Sequence, residues 1–245
     1  MTPRDSARTR PTLRHRQIPA ATRLFAVARD ARGYNGVNVQ QHPELAWLID
    51  YSAGKLSAGF HTVIAGHLGV CDDCREQLRA AERLGAHLTA ERPQLKPRVS
   101  AAAIRARARQ EATLTTEAAV PGLREFVASS LGFRWDALTW RAGVAGLRIA
   151  RLKDQDEERI WLLRAEPGVA LPEHTHEGAE LTLILHGAYR TDDQLFRAGD
   201  IDENDEEITH RPIVTADSDC ISLLVFEGRL HYTSAMGLAQ RVLKF

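Results

Sequence analysis

Two groups of residues in this chain have the types and the spacing to hold a metal ion. The first is His67, Cys71 and Cys74, in the order H-x3-C-x2-C. Residues i and i+4 share one face of an α-helix, so His67 and Cys71 point the same way, and Cys74 can swing into the same volume from the helix end. An imidazole and two thiolates are donors for a tetrahedral Zn²⁺ site, which needs a fourth ligand to close. His42 and His61 are the upstream candidates. His61 lies about 240° from His67 on a helical wheel and points elsewhere; His42 precedes the first helix, which can fold back and carry it to the cluster.

The second group is His174, His176 and Glu180, with His210 thirty residues further on. On a β-strand, residues i and i+2 face the same side, so the rings at 174 and 176 aim at one point. Glu180 reaches that point after a short turn. Three imidazoles and a carboxylate suit zinc, manganese, iron or nickel, and the donors alone do not choose among them. An open coordination position there permits Lewis-acid or O₂ chemistry. No Arg or Lys stands beside the motif to hold an anionic substrate, although Arg190 and Arg211 are within reach in sequence. His186 is read as structural, and the acidic run Asp202–Glu207 as a solvated loop.

The elements that must position these groups fall into two halves. Glu44–Tyr51 is amphipathic at helical spacing and ends at Gly54. Ser57 is placed to cap a second helix from Ala58 to about Val70, and a third runs from Arg75 to Leu88. Residues 100–113 have helix-forming composition but almost no large apolar side chain, which suits an element ordered by a partner. From Pro121 the character changes. One helix fits 122–131, and short β-type runs follow near 137–141, 147–153, 159–165, 180–185, 187–190, 222–226 and 229–233, separated by turn residues. Many short strands at that spacing indicate an antiparallel barrel or jelly roll.

Composition narrows the function classes. Across 245 residues the formal net charge is zero, and the helices around the first group balance Lys55, Arg75, Arg79 and Arg83 against nearby acids, so direct nucleic-acid binding is not expected. No apolar run approaches the ~20 residues of a membrane helix, and the N-terminus lacks a secretory signal core. Three cysteines are too few for a disulfide scaffold and fit a reducing cytoplasm. The Arg-rich residues 1–40 are expected to be a disordered basic extension.

The phrase from His42-Pro-Glu-Leu through Tyr51-Ser-Ala-Gly-Lys-Leu-Ser to His67 and Cys71-Asp-Asp-Cys74 resembles the zinc-binding anti-sigma family. That resemblance implies that His42 completes the zinc site, and that zinc-bracketed helices clamp an extracytoplasmic-function (ECF) sigma factor. Gly168 to Gly187 is similar to the first cupin motif, G-x5-HxH-x3,4-E-x6-G. The second cupin motif is met at Gly199 and His210 but lacks its P-x-G. Together the halves resemble ChrR-type anti-sigma factors. The expectation is an α+β chain of two domains: residues 41–114 a zinc-bound helical anti-sigma domain, 115–121 a linker, and 122–245 a cupin-like jelly-roll barrel. The metals are Zn at His42, His67, Cys71 and Cys74, and Zn or another divalent transition metal at His174, His176, Glu180 and His210. The resemblance implies a cytoplasmic regulator with no catalytic residues that releases its sigma factor on oxidative stress, singlet oxygen in particular. The alternative is a cupin metalloenzyme, dioxygenase- or isomerase-like, with a regulatory zinc module.

Overall fold

The computed structural model describes residues 39–89, 122–155, 157–192 and 194–233. Among these, the helices are α1 (Leu45–Ser52), α2 (Ala58–Val70), α3 (Asp72–Thr89) and α4 (Leu123–Leu131). The strands are β1 (Arg141–Ala142), β2 (Leu147–Gln155), β3 (Glu158–Ala165), β4 (His174–His176), β5 (Glu180–His186), β6 (Ala188–Thr191), β7 (Gln194–Arg197), β8 (Ile201–Asn204), β9 (Ile213–Val214), β10 (Cys220–Phe226) and β11 (Leu230–Tyr232). The expected helix at 100–113, the linker at 115–121 and most of the 1–40 extension lie outside the described residues. No helix among the described residues is long and apolar enough to cross a membrane.

Every strand pairing is antiparallel. The largest sheet has the order β1-β2-β3-β10-β5-β8, and it faces the smaller sheets β7-β6-β9 and β11-β4 across a barrel interior. Side chains alternate cleanly along the central strands. On β5, Glu180, Thr182 and Ile184 point into the barrel, while Leu181, Leu183 and Leu185 point outward. On β10, Ser222 and Leu224 are inside, and Leu223 and Val225 outside.

The outward face is not solvated. Its leucines and valines share one apolar core with Leu48 of α1 and with Phe60, Val63, Ile64 and Leu68 of α2. A sheet covered on both faces needs apolar residues at every position rather than at alternate ones. That is why β5 (ELTLILH) and β10 (CISLLVF) run apolar almost throughout.

Helix α2 is apolar on nearly every side (AGFHTVIAGHLGV), as a fully enclosed helix must be. It meets the sheet through glycine. A Cβ on Gly59 would come within 2.8 Å of Val225 Cγ1, and one on Gly66 within 2.8 Å of Leu183 Cδ2. These two positions, seven residues apart, set how closely the helix lies on the strands.

The N-terminus of α2 is capped differently from the sequence expectation. Ser57 makes no capping bond; its hydroxyl donates to Glu158. The cap comes from Glu158 itself, on β3, whose Oε1 accepts from Gly59 N at 2.8 Å while Oε2 takes Lys153 Nζ at 2.8 Å. A buried carboxylate at a helix N-terminus answers both the free amides and the helix dipole.

Other differences are local. Trp135–Ala137 is a 3₁₀ turn, so the strand expected at 137–141 begins only at Arg141. α3 starts at Asp72, with Asp72 and Asp73 suited to its positive end. β7, β8 and β9 add to the expected strands; β8 (IDEN) falls in the acidic run read as a loop, because Asp, Asn and Glu carry little strand propensity. Val39 and Gln40, the last residues of the expected extension, already pack against the folded chain.

Candidate metal centres

The first group assembles as its spacing requires. His67 and Cys71 lie at the end of α2, Cys74 is in the first turn of α3, and His42 comes from the segment before α1. His42 Nδ1 stands 3.4 Å from both sulfurs, and His67 Nε2 stands 3.2 Å from Cys74 Sγ. His67, Cys71 and Cys74 are buried, while His42 is exposed. His61 stacks on Tyr51 at 4.7 Å and takes no part. Cys74 N donates to Cys71 Sγ at 3.4 Å, a bond that favours a thiolate. A hydrogen bond from Cys74 holds the Cys71 thiol well below its ordinary range, and the same bond pushes Cys74 up. A lowered thiol favours the thiolate, the form that ligates a metal.

The orientation of His67 is set from the barrel. Its Nδ1 lies 2.8 Å from the carbonyl oxygen of Gly199, in the turn between β7 and β8. A carbonyl only accepts, so Nδ1 carries the hydrogen and Nε2 faces the thiols. The neighbouring Asp200, fully buried, accepts from Gln40 N at 2.7 Å and Gln41 N at 3.2 Å, which places His42. Glu203 on β8 accepts from Trp47 Nε1 at 2.6 Å and Glu44 N at 2.9 Å.

The second group closes inside the barrel. β4 carries His174 and His176 inward, β5 starts at Glu180, and His210 pairs backbone to backbone with His174 at 3.1 Å in both directions. That reciprocal pairing positions His210 without the missing P-x-G. All four side chains are buried. His174 Nδ1 donates to Pro172 O at 2.8 Å and His176 Nδ1 to Asp205 O at 3.1 Å, so both Nε2 lone pairs point to the centre. There His176 Nε2 is 3.1 Å from Glu180 Oε2, and His210 Nε2 is 3.0 Å from His174 Nε2 and 3.8 Å from Glu180 Oε1.

Burial governs the charge states. It lowers His174, and it lowers His210 to about 4, so both rings are neutral donors at neutral pH. Burial alone would lower His176, but the Glu180 carboxylate outweighs it and leaves that ring raised. The same pairing holds Glu180 below its ordinary value despite complete burial.

The donor set fits a metal. His176 Nε2 and Glu180 Oε2 are buried and face each other at 3.1 Å without hydrogen-bond geometry, which is costly for polar atoms unless something else satisfies them. A divalent cation among three imidazoles and a carboxylate would do so, as would Zn²⁺ among two thiolates and two imidazoles at the first group. Beside the barrel group is a cavity of about 60 Å³, mostly apolar, with Leu163, Leu171 and Leu224 in its wall. Arg190 and Arg211, the cations that could have held an anionic substrate, are exposed and do not line it.

Several residues that shape these centres were not evident beforehand. Asp202, in the supposed solvated loop, is buried; its Oδ2 accepts from Tyr189 OH at 2.8 Å and faces His210 Nδ1 at 3.7 Å. Burial raises its carboxyl to about 6. Asp200, Glu203 and Glu158 also act across long sequence separations. The only local signal was the Gly199-Asp200 turn. His186 is exposed and outside both groups.

Comparison with known proteins places this geometry. Residues 129–231 match the model of the ChrR cupin-like domain. The chain is 34% identical over 201 residues, 81% of its length and 94% of the relative's, to the protein named anti-sigma-E factor ChrR of Cereibacter sphaeroides. A crystal structure of Rhodobacter sphaeroides SigE in complex with the anti-sigma ChrR superposes with a TM-score of 0.61 at 34% identity, covering 77% of this chain and 100% of that one. An RmlC-like cupin protein from Ralstonia eutropha is more distant, at 21% identity over 45% of this chain and 83% of its own, with a TM-score of 0.38.

Proposed function

The chain belongs to the family of ChrR-type anti-sigma factors, and from that premise we propose that it is a regulator that sequesters an ECF sigma factor. The observation that carries this is that the similarity runs through both halves while each half assembles its own buried donor cluster. The helical half does the binding. Leu45 and Ile49 on α1, and Leu84 and Leu88 on α3, are pairs at i and i+4 exposed to between 45% and 68%. Apolar residues left bare in this way mark a protein-binding surface, and the sigma factor covers them.

His42, His67, Cys71 and Cys74 hold a structural Zn²⁺, which ties the start of α1 to the α2–α3 corner. Folding of small metal domains draws of order 10 kcal/mol from such a site. His174, His176, Glu180 and His210 hold a second divalent transition metal. This half receives the signal: oxidation, by singlet oxygen or a hydroperoxide, alters imidazole or thiolate donors and weakens the clamp. The regulator works in the cytoplasm, where sigma factors meet RNA polymerase. It is a regulator rather than an enzyme, as the relative that it matches over most of both chains is named.

The test is co-expression of the full chain with the ECF sigma factor of its own genome, followed by co-purification, metal analysis and transcription in vitro. A stoichiometric complex with about two metal ions per chain, silent until the regulator is removed, is the expected outcome. An isolated chain that leaves sigma-dependent transcription untouched overturns the reading.

A further inference from the structure

We infer that the segment Gly199–Glu203 is a brace shared by the two clusters, and that it, rather than the 115–121 linker, carries communication between the barrel and the sigma-binding helices. The inference rests on the reading above that both clusters hold metal.

The brace follows from the alternation of one short strand. β8 lies beside β5 at the edge of the large sheet, with Thr182 opposite Asp202 and Leu181 opposite Glu203. Successive side chains on a strand point to opposite faces. Asp202 therefore enters the barrel, where it holds the Tyr189 hydroxyl and faces the ring of His210. Asn204, on the same face, pairs across with Glu180. Ile201 and Glu203 leave by the other face. Ile201 joins the core shared with α2, and its amide donates to Gln41 O at 3.3 Å. Glu203 takes the Trp47 indole and the Glu44 amide.

The turn before β8 completes the link. Gly199 supplies the carbonyl that orients His67, and Asp200 supplies the carboxylate that holds the Gln40 and Gln41 amides next to His42. The other oxygen of Asp200 accepts from Arg197 N at 2.8 Å, and its backbone carbonyl accepts from Ile184 N at 3.1 Å, so the turn is fixed to both β7 and β5. Five consecutive residues thus touch the surroundings of three ligands directly: His67, His42 and His210. A displacement of β8 by a fraction of an ångström at His210 moves the acceptor that sets the His67 ring. Groups that support a metal ligand from outside govern its affinity strongly, with losses of roughly 10- to 100-fold when they are removed.

Coupling of this kind is reciprocal, so it is measurable as metal affinity without any sigma factor present. Cobalt(II) is the probe, because only the thiolate cluster gives an intense sulfur-to-metal charge-transfer band. Glu203→Ala removes both acceptors that Glu203 offers to the helical unit; Glu203→Gln keeps an amide oxygen for Trp47. In the parent chain, His174→Ala with His176→Ala is expected to weaken cobalt binding at the thiolate cluster by about fivefold or more. In Glu203→Ala the same pair of changes is expected to have little further effect, and Glu203→Gln should restore part of the dependence. Replacing residues 115–121 by a Gly/Ser stretch of equal length should leave it intact. Equal effects of the histidine changes with and without Glu203, no effect in the parent, or loss of the dependence on linker replacement overturns the brace. Sigma capture by the parent chain is scored in parallel. If capture stands while the coupling is absent, only the brace fails; if capture itself is absent, the function proposed above fails first.

Discussion

The two clusters solve the same problem with different scaffolds. The barrel cluster is held within its own module: β4 and the start of β5 bring three donors, and the His174–His210 backbone pair brings the fourth. Its histidines are oriented by carbonyls of Pro172 and Asp205, and all four side chains are buried. The helical cluster borrows. His67 is oriented by Gly199 and His42 is placed through Asp200, both from the barrel, and His42 is exposed. Paired strands fix side chains through their backbone neighbours, as β11 and the His210 bridge do for β4. Short helices fix only their own faces and need an outside support. The difference suggests which site is rigid and which yields: the barrel presents a preformed cage, and the helical site depends on its contact with that barrel.

The largest effect expected is on the yielding site. Cys71→Ser with Cys74→Ser removes both thiolates and with them a contribution of about 10 kcal/mol from the metal. Sigma co-purification should be lost and the helical unit should unfold first on heating, followed by circular dichroism, while barrel metal content stays. If the variant still captures the sigma factor, the zinc clamp is wrong.

His174→Ala with His176→Ala should remove about one metal ion per chain. A tight structural zinc site stays filled after a fivefold loss of affinity, so inhibition of the sigma factor should persist. Release on exposure to singlet oxygen should be blunted, read from a sigma-dependent reporter. A normal response in that assay would take the barrel metal out of sensing.

The smallest effects test the contact itself. Gly66→Leu drives a side chain into Leu183 and Leu123 and should cost about 1–3 kcal/mol in urea unfolding. Gly69, in the same helix, has nothing within 4 Å of a built Cβ. Gly69→Ala should therefore stabilise by up to about 1 kcal/mol, the ordinary helix preference for alanine. If the two behave alike, α2 does not lie on the sheet as described.

Much of this was legible beforehand because it is local. The i, i+4 spacing of His67 and Cys71 and the i, i+2 spacing of His174 and His176 convert directly into shared faces. The two motif glycines have a backbone reason: Gly168 and Gly187 both adopt positive φ, and at Gly187 a side chain would collide with the Asp219 carbonyl. What was not legible depends on partners far away in sequence. Gln40 and Asp200 are 160 positions apart, and Gly59 and Glu158 are 99 apart. No window of sequence contains both members. β8 was hidden for a related reason: Asp202 and Glu203 look like solvent-loving residues until each is seen to have its own buried or bridging partner. The unbroken apolar runs of β5 and β10 fit a sheet covered on both faces, but nothing in them names the helix that supplies the cover.

The burial of α2 has a consequence for how the chain is made. The helix is complete at Val70, but the sheet it lies on is not complete until β10 ends at Phe226. At about 5–20 residues per second, roughly 150 further residues take on the order of 10–30 seconds to leave the ribosome. Throughout that interval the flank bearing Gly59, Val63 and Gly66 has no strand to rest on. Until then the nascent helices present an unfinished, apolar surface. For this regulator, the order of synthesis places the helical unit in the cell before the barrel that covers it exists.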